Sequence, residues 1–350
     1  MKFIQSIISM AAAALLVTAC NKNENLAPQA DNFPADGVIR VATQVNQPQT
    51  RAGMTSDNLT DFFMHVENPV EMTGKYTYFV KMKKEANASW MSYNPQDDSA
   101  ISQGLPVSEK VMLWQNKVNS VNVTAFRIPN NVVDSNWASE HRIGVETDQT
   151  VKANMEKSDI LLMIKKSVNP STDLTVDGKM RIQLDHFLTK LNLTFKLGTE
   201  FNLLPGGTAS NIIEEVRIGG SSTGVMWKLG EPSLTINFSK PEDILPLSTS
   251  YTAGEADSKM AEAKYECILI PQTVPNMYAN TGDPMTPPSN LIIKIKIGGK
   301  TYAWEHKSNI LFANNSQYNL TLNVGKDAVT LSGFTVQPWG DGGSHDVETE

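Results

Sequence analysis

The sequence predicts an all-β protein, and three observations carry the prediction. Segments of five to seven residues alternate apolar and polar side chains, turn dipeptides stand between them, and no stretch sustains helical periodicity for four turns. In the clearest segment Leu191, Leu193, Phe195 and Leu197 interleave with Asn192, Thr194 and Lys196. A period of two places one set against a core and the other in water, and one-faced sheets of this kind pack against each other as sandwiches.

Taken in order, the chain begins with Lys2 and an apolar run from Phe3 to Val17. The run is shorter than the ~20 apolar residues that cross a bilayer and fits a secretory signal peptide over residues 1–19. It ends in Leu16-Val17-Thr18-Ala19-Cys20, which resembles a lipobox, so Cys20 is the expected site of lipidation after cleavage just before it. Each acyl methylene buried in the membrane contributes ~0.8 kcal/mol. Residues 20–36 are polar, contain Pro28 and Pro34, and read as a flexible tether.

Val38 to Val45 alternates again, with Ile39, Val41, Thr43 and Val45 on one face, and the polar loop Gln47-Pro48-Gln49-Thr50-Arg51 follows. Residues 37–51 thus comprise a first strand and an exposed loop. Short helices are expected around Thr60 to Val66 and Ser258 to Ala263. Strands are expected at 121–125, 180–184, 291–297 and 318–324. Gly298-Gly299 reads as a two-residue hairpin turn, and Asp177-Gly178 as another. The polar segment 166–178 suits a junction, giving an N-terminal domain over 52–178 and a C-terminal domain over 179–350. Five prolines between Pro271 and Pro288 mark a long loop, and Ala328 to Val336 reads as a last strand broken at Gly333.

The formal net charge of −7 argues against a nucleic-acid partner. With Cys20 acylated, Cys267 has no partner, so no disulfide framework is expected, and Cys267 reads as a small buried hydrophobe. Catalytic patterns do not assemble. Gly220-Ser221-Ser222-Thr223-Gly224 matches a nucleophile elbow but lacks the following helix, and reads as a flexible hairpin loop. Gly299-Lys300-Thr301 lacks the first glycine of a phosphate loop. No two of the five histidines have zinc spacing, and His186 beside Asp185 reads as a strand-end histidine. The acidic C-terminus reads as a solvated tail. No enzyme, cofactor or metal site is expected.

Several features together resemble the fimbrillin family of fimbrial subunits: the lipobox at Cys20, Thr50-Arg51-Ala52-Gly53 after the first strand, and Asp185-His186-Phe187-Leu188-Thr189-Lys190-Leu191, similar to the family's H-x-L-x-K pattern. Ile270-Pro271-Gln272-Thr273, Tyr302-Ala303-Trp304, Gln317-Tyr318-Asn319-Leu320 and the closing Thr335-Val336-Gln337-Pro338-Trp339 continue it. The resemblance implies two tandem transthyretin-like β-sandwich domains, Greek-key-like in topology. It also implies export as a lipoprotein to the outer membrane and a place in a surface fimbria contributing to adhesion. Finally, it implies removal of the first strand by an arginine-specific surface protease and polymerisation with other fimbrial subunits by strand exchange.

On that reading the cut falls between Arg51 and Ala52, because Arg51 lies in a polar loop while Arg40 lies inside the strand. The donor strand is the C-terminal run, with Val329 and Leu331 on one face and Phe334 and Val336 on the other. The alternative for that run is closure of its own domain. Host or bacterial surface ligands are further expected partners, and the competing function is a monomeric outer-membrane surface lipoprotein that binds glycans through tryptophans such as Trp304 and Trp339.

Overall fold

The structure is a computed structural model describing residues 32–46, 53–71, 73–95, 111–128, 139–204, 210–235, 242–275 and 290–339. Among these, strands dominate, as the alternation predicts. A seven-stranded sheet has the order β1-β8-β7-β5-β2-β3-β4. Its strands are β1 (Arg40–Val45), β2 (Asp61–Glu67), β3 (Tyr78–Lys84), β4 (Trp90–Tyr93), β5 (Val121–Arg127), β7 (Leu161–Val168) and β8 (Lys179–His186). One face of this sheet contributes Val41, Phe62, Met64, Val80, Met82, Val123 and Ile182 to a core that Met54 also joins.

Its other face is also covered. Phe63, Phe126 and Leu162 point into a second core, where Phe126 meets Trp227 edge-on at 5.8 Å between ring centroids. Trp227 lies in β11 (Gly224–Lys228), the middle of a small sheet between β6 (Glu140–Gly144) and β12 (Leu234–Thr235). The helix α1 (Lys152–Ser158) leads into β7.

The remaining strands form a sandwich. A five-stranded sheet has the order β13-β14-β9-β19-β20, from β13 (Leu247–Thr252), β14 (Ala261–Leu269), β9 (Thr189–Leu197), β19 (Ser316–Val324) and β20 (Val329–Pro338). A three-stranded sheet of β10 (Ile213–Gly219), β16 (Ile292–Ile297) and β17 (Lys300–Glu305) shares its core through Val216, Ile218, Ile293 and Ile295. Leu191, Leu193, Phe195 and Leu197 are all buried on the inner face of β9, as are Leu320 and Leu322 of β19. The short pair β15 (Gln272–Val274) and β18 (Ile310–Phe312) completes the set.

Gly298 and Gly299 take φ of +57° and +77° between β16 and β17, the mirror-image turn that matches strand twist. Gly178 closes the turn before β8 at φ +72°. Lys179 to His186 belongs to the seven-stranded sheet, so the chain changes sheets at Phe187–Leu188, one strand beyond residue 178.

Neither expected helix forms. Thr60 to Val66 forms most of β2, where Phe62 and Phe63 each face a core, so an apolar run that suggested a helix is a strand buried on both faces. Ser258 lies in a turn closed by its N–H donating to Glu255 O, and Ala261 to Ala263 opens β14. The G-x-S-x-G segment is neither flexible nor a hairpin. Ser221 and Ser222 are buried, Ser222 N–H donates to Gln272 Oε1 at 2.8 Å, and the segment carries the chain from β10 to β11 in a different sheet.

Candidate functional site

The site that the sequence singles out is the first strand, and the fold places it at an edge. β1 runs parallel to β8 in unbroken register from Arg40–Lys179 to Val45–Leu184. No other strand among the described residues pairs with it. Ile39, Val41 and Val45 are buried in the core, while Arg40 and Gln44 face outward. Burying three aliphatic side chains contributes roughly 5–9 kcal/mol gross at about 1.5–3 each.

The ends of β1 are tied separately. Ile39 N–H donates to Met112 O at 2.8 Å, and Val45 N–H to Ser56 Oγ at 2.9 Å. The far side of β1 borders a cavity of about 490 Å³ lined by Ile39 and Val41 together with Met82, Trp90 and Met91 of β3 and β4. Both edges of the seven-stranded sheet therefore line one cleft.

Arg40 is held at the start of this strand. Its guanidinium donates to both carboxylate oxygens of Asp36, and this pairing lowers the Asp36 carboxyl from its ordinary 3.8 to about 2. Cys20, Arg51 and Ala52 lie outside the described residues.

The C-terminal run forms β20, antiparallel to β19 at the edge of the five-stranded sheet. The strand is continuous through Gly333, and a bulge changes which side chains share a face. Leu322 pairs with Leu331 but Thr321 with Gly333, so Ser332 is the additional residue. Its Oγ lies 3.2 Å from Thr321 O and donates to it. The shift of one residue reverses the alternation, so Phe334 and Val336 face the same core as Val329 and Leu331, not the opposite face. All four are only half-buried, whereas Tyr318, Leu320 and Leu322 on β19 are fully buried.

Residues proposed for glycan stacking are placed otherwise. Trp339 is buried, and Trp304 packs partly against the core beside His306. A polar cavity of about 580 Å³ on the five-stranded sheet is lined by Asn192, Thr194, Lys264, Glu266 and Asn319 among others, with no tryptophan. Its groups largely satisfy one another. Asn192 Nδ2 donates to Asn319 Oδ1, and Lys190 Nζ pairs with Glu266, each at 2.8 Å.

Sequence reading missed one buried cluster. Asp159, after α1, accepts from Met54 N–H at 2.7 Å and lies 3.0 Å from His186 Nδ1, while Trp339 stacks on the imidazole. Only His186 and Trp339 stood within motifs, and nothing in sequence joins residues so far apart.

Comparison with known proteins agrees with this architecture. A candidate cell adhesion protein of Bacteroides uniformis superimposes with TM-score 0.53 at 15% identity, covering 87% of this chain and 99% of that one. A second from Bacteroides ovatus gives TM-score 0.53 at 12% identity, covering 86% and 97%. At these identities the likeness is one of fold. The tip fimbrial protein Mfa3 of Porphyromonas gingivalis aligns over 86% of this chain and all of its own, at 14% identity and TM-score 0.43. No curated protein matches. The profile of the fimbrillin-like family matches residues 43–339. The chain therefore belongs to the fimbrillin-like family, as a fimbrial or adhesin-like surface subunit and not an enzyme.

Proposed function

We propose that this subunit is exported as an outer-membrane lipoprotein through Cys20, cut between Arg51 and Ala52 by an arginine-specific surface protease, and polymerised by strand exchange. The observation that carries the reading is that β1 is an edge strand held by one neighbouring strand while its side chains fill a core. On this reading the body is two sandwich domains divided near the end of β8. Loss of β1 leaves β8 with unpaired backbone groups beside an apolar groove, a surface that folded proteins avoid exposing.

A strand from a neighbouring subunit fills the groove by β-augmentation, gaining main-chain hydrogen bonds and apolar burial together. β20 is the donor we favour. It too is an edge strand, and its half-buried side chains lose less apolar contact on leaving than fully buried ones. The bulge at Ser332 gives it one apolar face, which a groove requires.

The test is limited digestion of the soluble precursor with an arginine-specific protease, followed by N-terminal sequencing and unboiled SDS gels. The expected outcome is a product starting at Ala52 that converts to SDS-resistant ladders. A product starting at Ala52 that stays monomeric on the gel would overturn strand-exchange assembly.

A further inference from the structure

The segment that follows the proposed cut and the end of the proposed donor strand meet at one buried point. Trp339, directly after β20, is 1% exposed and lies flat on the imidazole of His186, with ring centroids 4.2 Å apart and an interplanar angle of 1°. His186 ends β8, the strand on which β1 rests. Its Nδ1 lies 3.0 Å from the Asp159 carboxylate, which is wholly buried. The same carboxylate accepts from Met54 N–H at 2.7 Å.

Gly53 completes the contact. Its φ is +106°, and a Cβ there would lie 2.9 Å from Asp159 Oδ2 and 3.5 Å from both the His186 and Trp339 rings. The segment just past Arg51 and the residue that follows β20 therefore close on one carboxylate–imidazole pair. Met54 in turn packs in the core that β1 fills, and Ser56 binds Val45 of β1 directly.

We propose that Asp159, His186 and Trp339 form a latch that keeps β20 in its own sheet until cleavage and loss of β1 draw Gly53–Met54 away. This rests on the strand-exchange reading given above. The physical sequence is local at each step. Loss of β1 removes the partner of Ser56 and part of the packing around Met54. A new chain terminus at Ala52 carries a charge that must be hydrated beside a buried segment. Withdrawal of Met54 N–H leaves Asp159 short of a donor in a dry site, a costly arrangement. Withdrawal of Gly53 opens the edge of the Trp339 stack to water. Two further polar atoms here, His186 Nε2 and Trp339 Nε1, have no hydrogen-bond partner among the described residues.

The test is hydrogen–deuterium exchange on the full soluble precursor, before and after arginine-specific cleavage, with Asp159→Asn and Trp339→Ala compared uncut. In uncut wild type, amides of residues 329–338 bonded to β19 should be protected. In the cleaved monomer, separated before ladders form, their exchange should quicken at least tenfold while β14 and β9 stay protected. Both uncut variants should already exchange at the cleaved rate over 329–338, with β2 and β5 unchanged as the control for folding. Protection of β20 that survives in the cleaved wild-type monomer, separated before ladders form, overturns the latch, as does unchanged protection in folded Asp159→Asn or Trp339→Ala. The cleaved wild type decides the question even if one variant fails to fold. Ladders formed from a cleaved monomer whose β20 is still protected before assembly would defeat the latch and leave strand exchange standing. Quickened exchange without ladders would do the reverse.

Discussion

Arg40 is the one arginine in β1, and its pairing with Asp36 bears on how a protease would meet it. A trypsin-like enzyme must seat a free guanidinium in its specificity pocket, and here both guanidinium arms are occupied by one carboxylate. The pair is exposed, at 46% and 51%, so its contribution to stability is small. The same small free energy is what a protease must spend to free the guanidinium. The Asp36 carboxyl sits at about 2 because Arg40 favours its charged form. A lowered carboxyl contributes its stabilisation above the ordinary 3.8 and loses it as pH falls through about 2, so both partners stay charged at every pH where such proteases work. Asp36→Asn should leave the melting temperature unchanged and add a digestion product starting at Val41. Mass spectrometry showing no such product would mean that pairing with β8, and not the clamp, protects this bond.

At the scale of elements, the bulge in β20 is the feature on which a donor role depends. Deleting Ser332 restores strict alternation and turns either Val329 and Leu331 or Phe334 and Val336 away from the core. Since these side chains are half-buried, the expected loss is about 2–3 kcal/mol. It should be read as a lower urea midpoint, and in assembly as weaker ladders that dissociate on warming. Unchanged stability would mean that the strand reaches the same packing without its bulge. That bulge was not legible in sequence: Gly333 suggested a break, whereas the additional residue lies beside it and the strand runs on. β9, β16 and β19 were legible because each has one buried and one wetter face, which writes a period of two into the residues. β2 was not, since Phe62 and Met64 serve one core and Phe63 the other, and burial on both faces erases the alternation. For the candidate site, the first strand was readable from Ile39, Val41 and Val45. The cluster around Asp159 was not, because no local pattern reports a contact among residues 53, 159, 186 and 339.

For the whole molecule, the placement of two edge strands in different sheets constrains how copies can join. A strand leaving the five-stranded sheet of one subunit and entering the seven-stranded sheet of the next makes a heterologous contact, which builds an open filament unless its rotation closes a ring. Growth then needs every subunit to offer both a vacated groove and a free donor. Arg51→Ala should keep β1 in place, leaving circular dichroism and melting unchanged while abolishing ladders under arginine-specific digestion. Normal ladders from that variant would move the cut elsewhere. Mixing the variant with cleaved wild type asks more. If β20 were free in an uncut subunit, that subunit would donate its strand yet accept none, and an equimolar dose would shorten the ladders by capping them. If cleavage is what frees β20, the uncut variant should stand apart, and ladder lengths should match those of cleaved wild type alone at the same concentration.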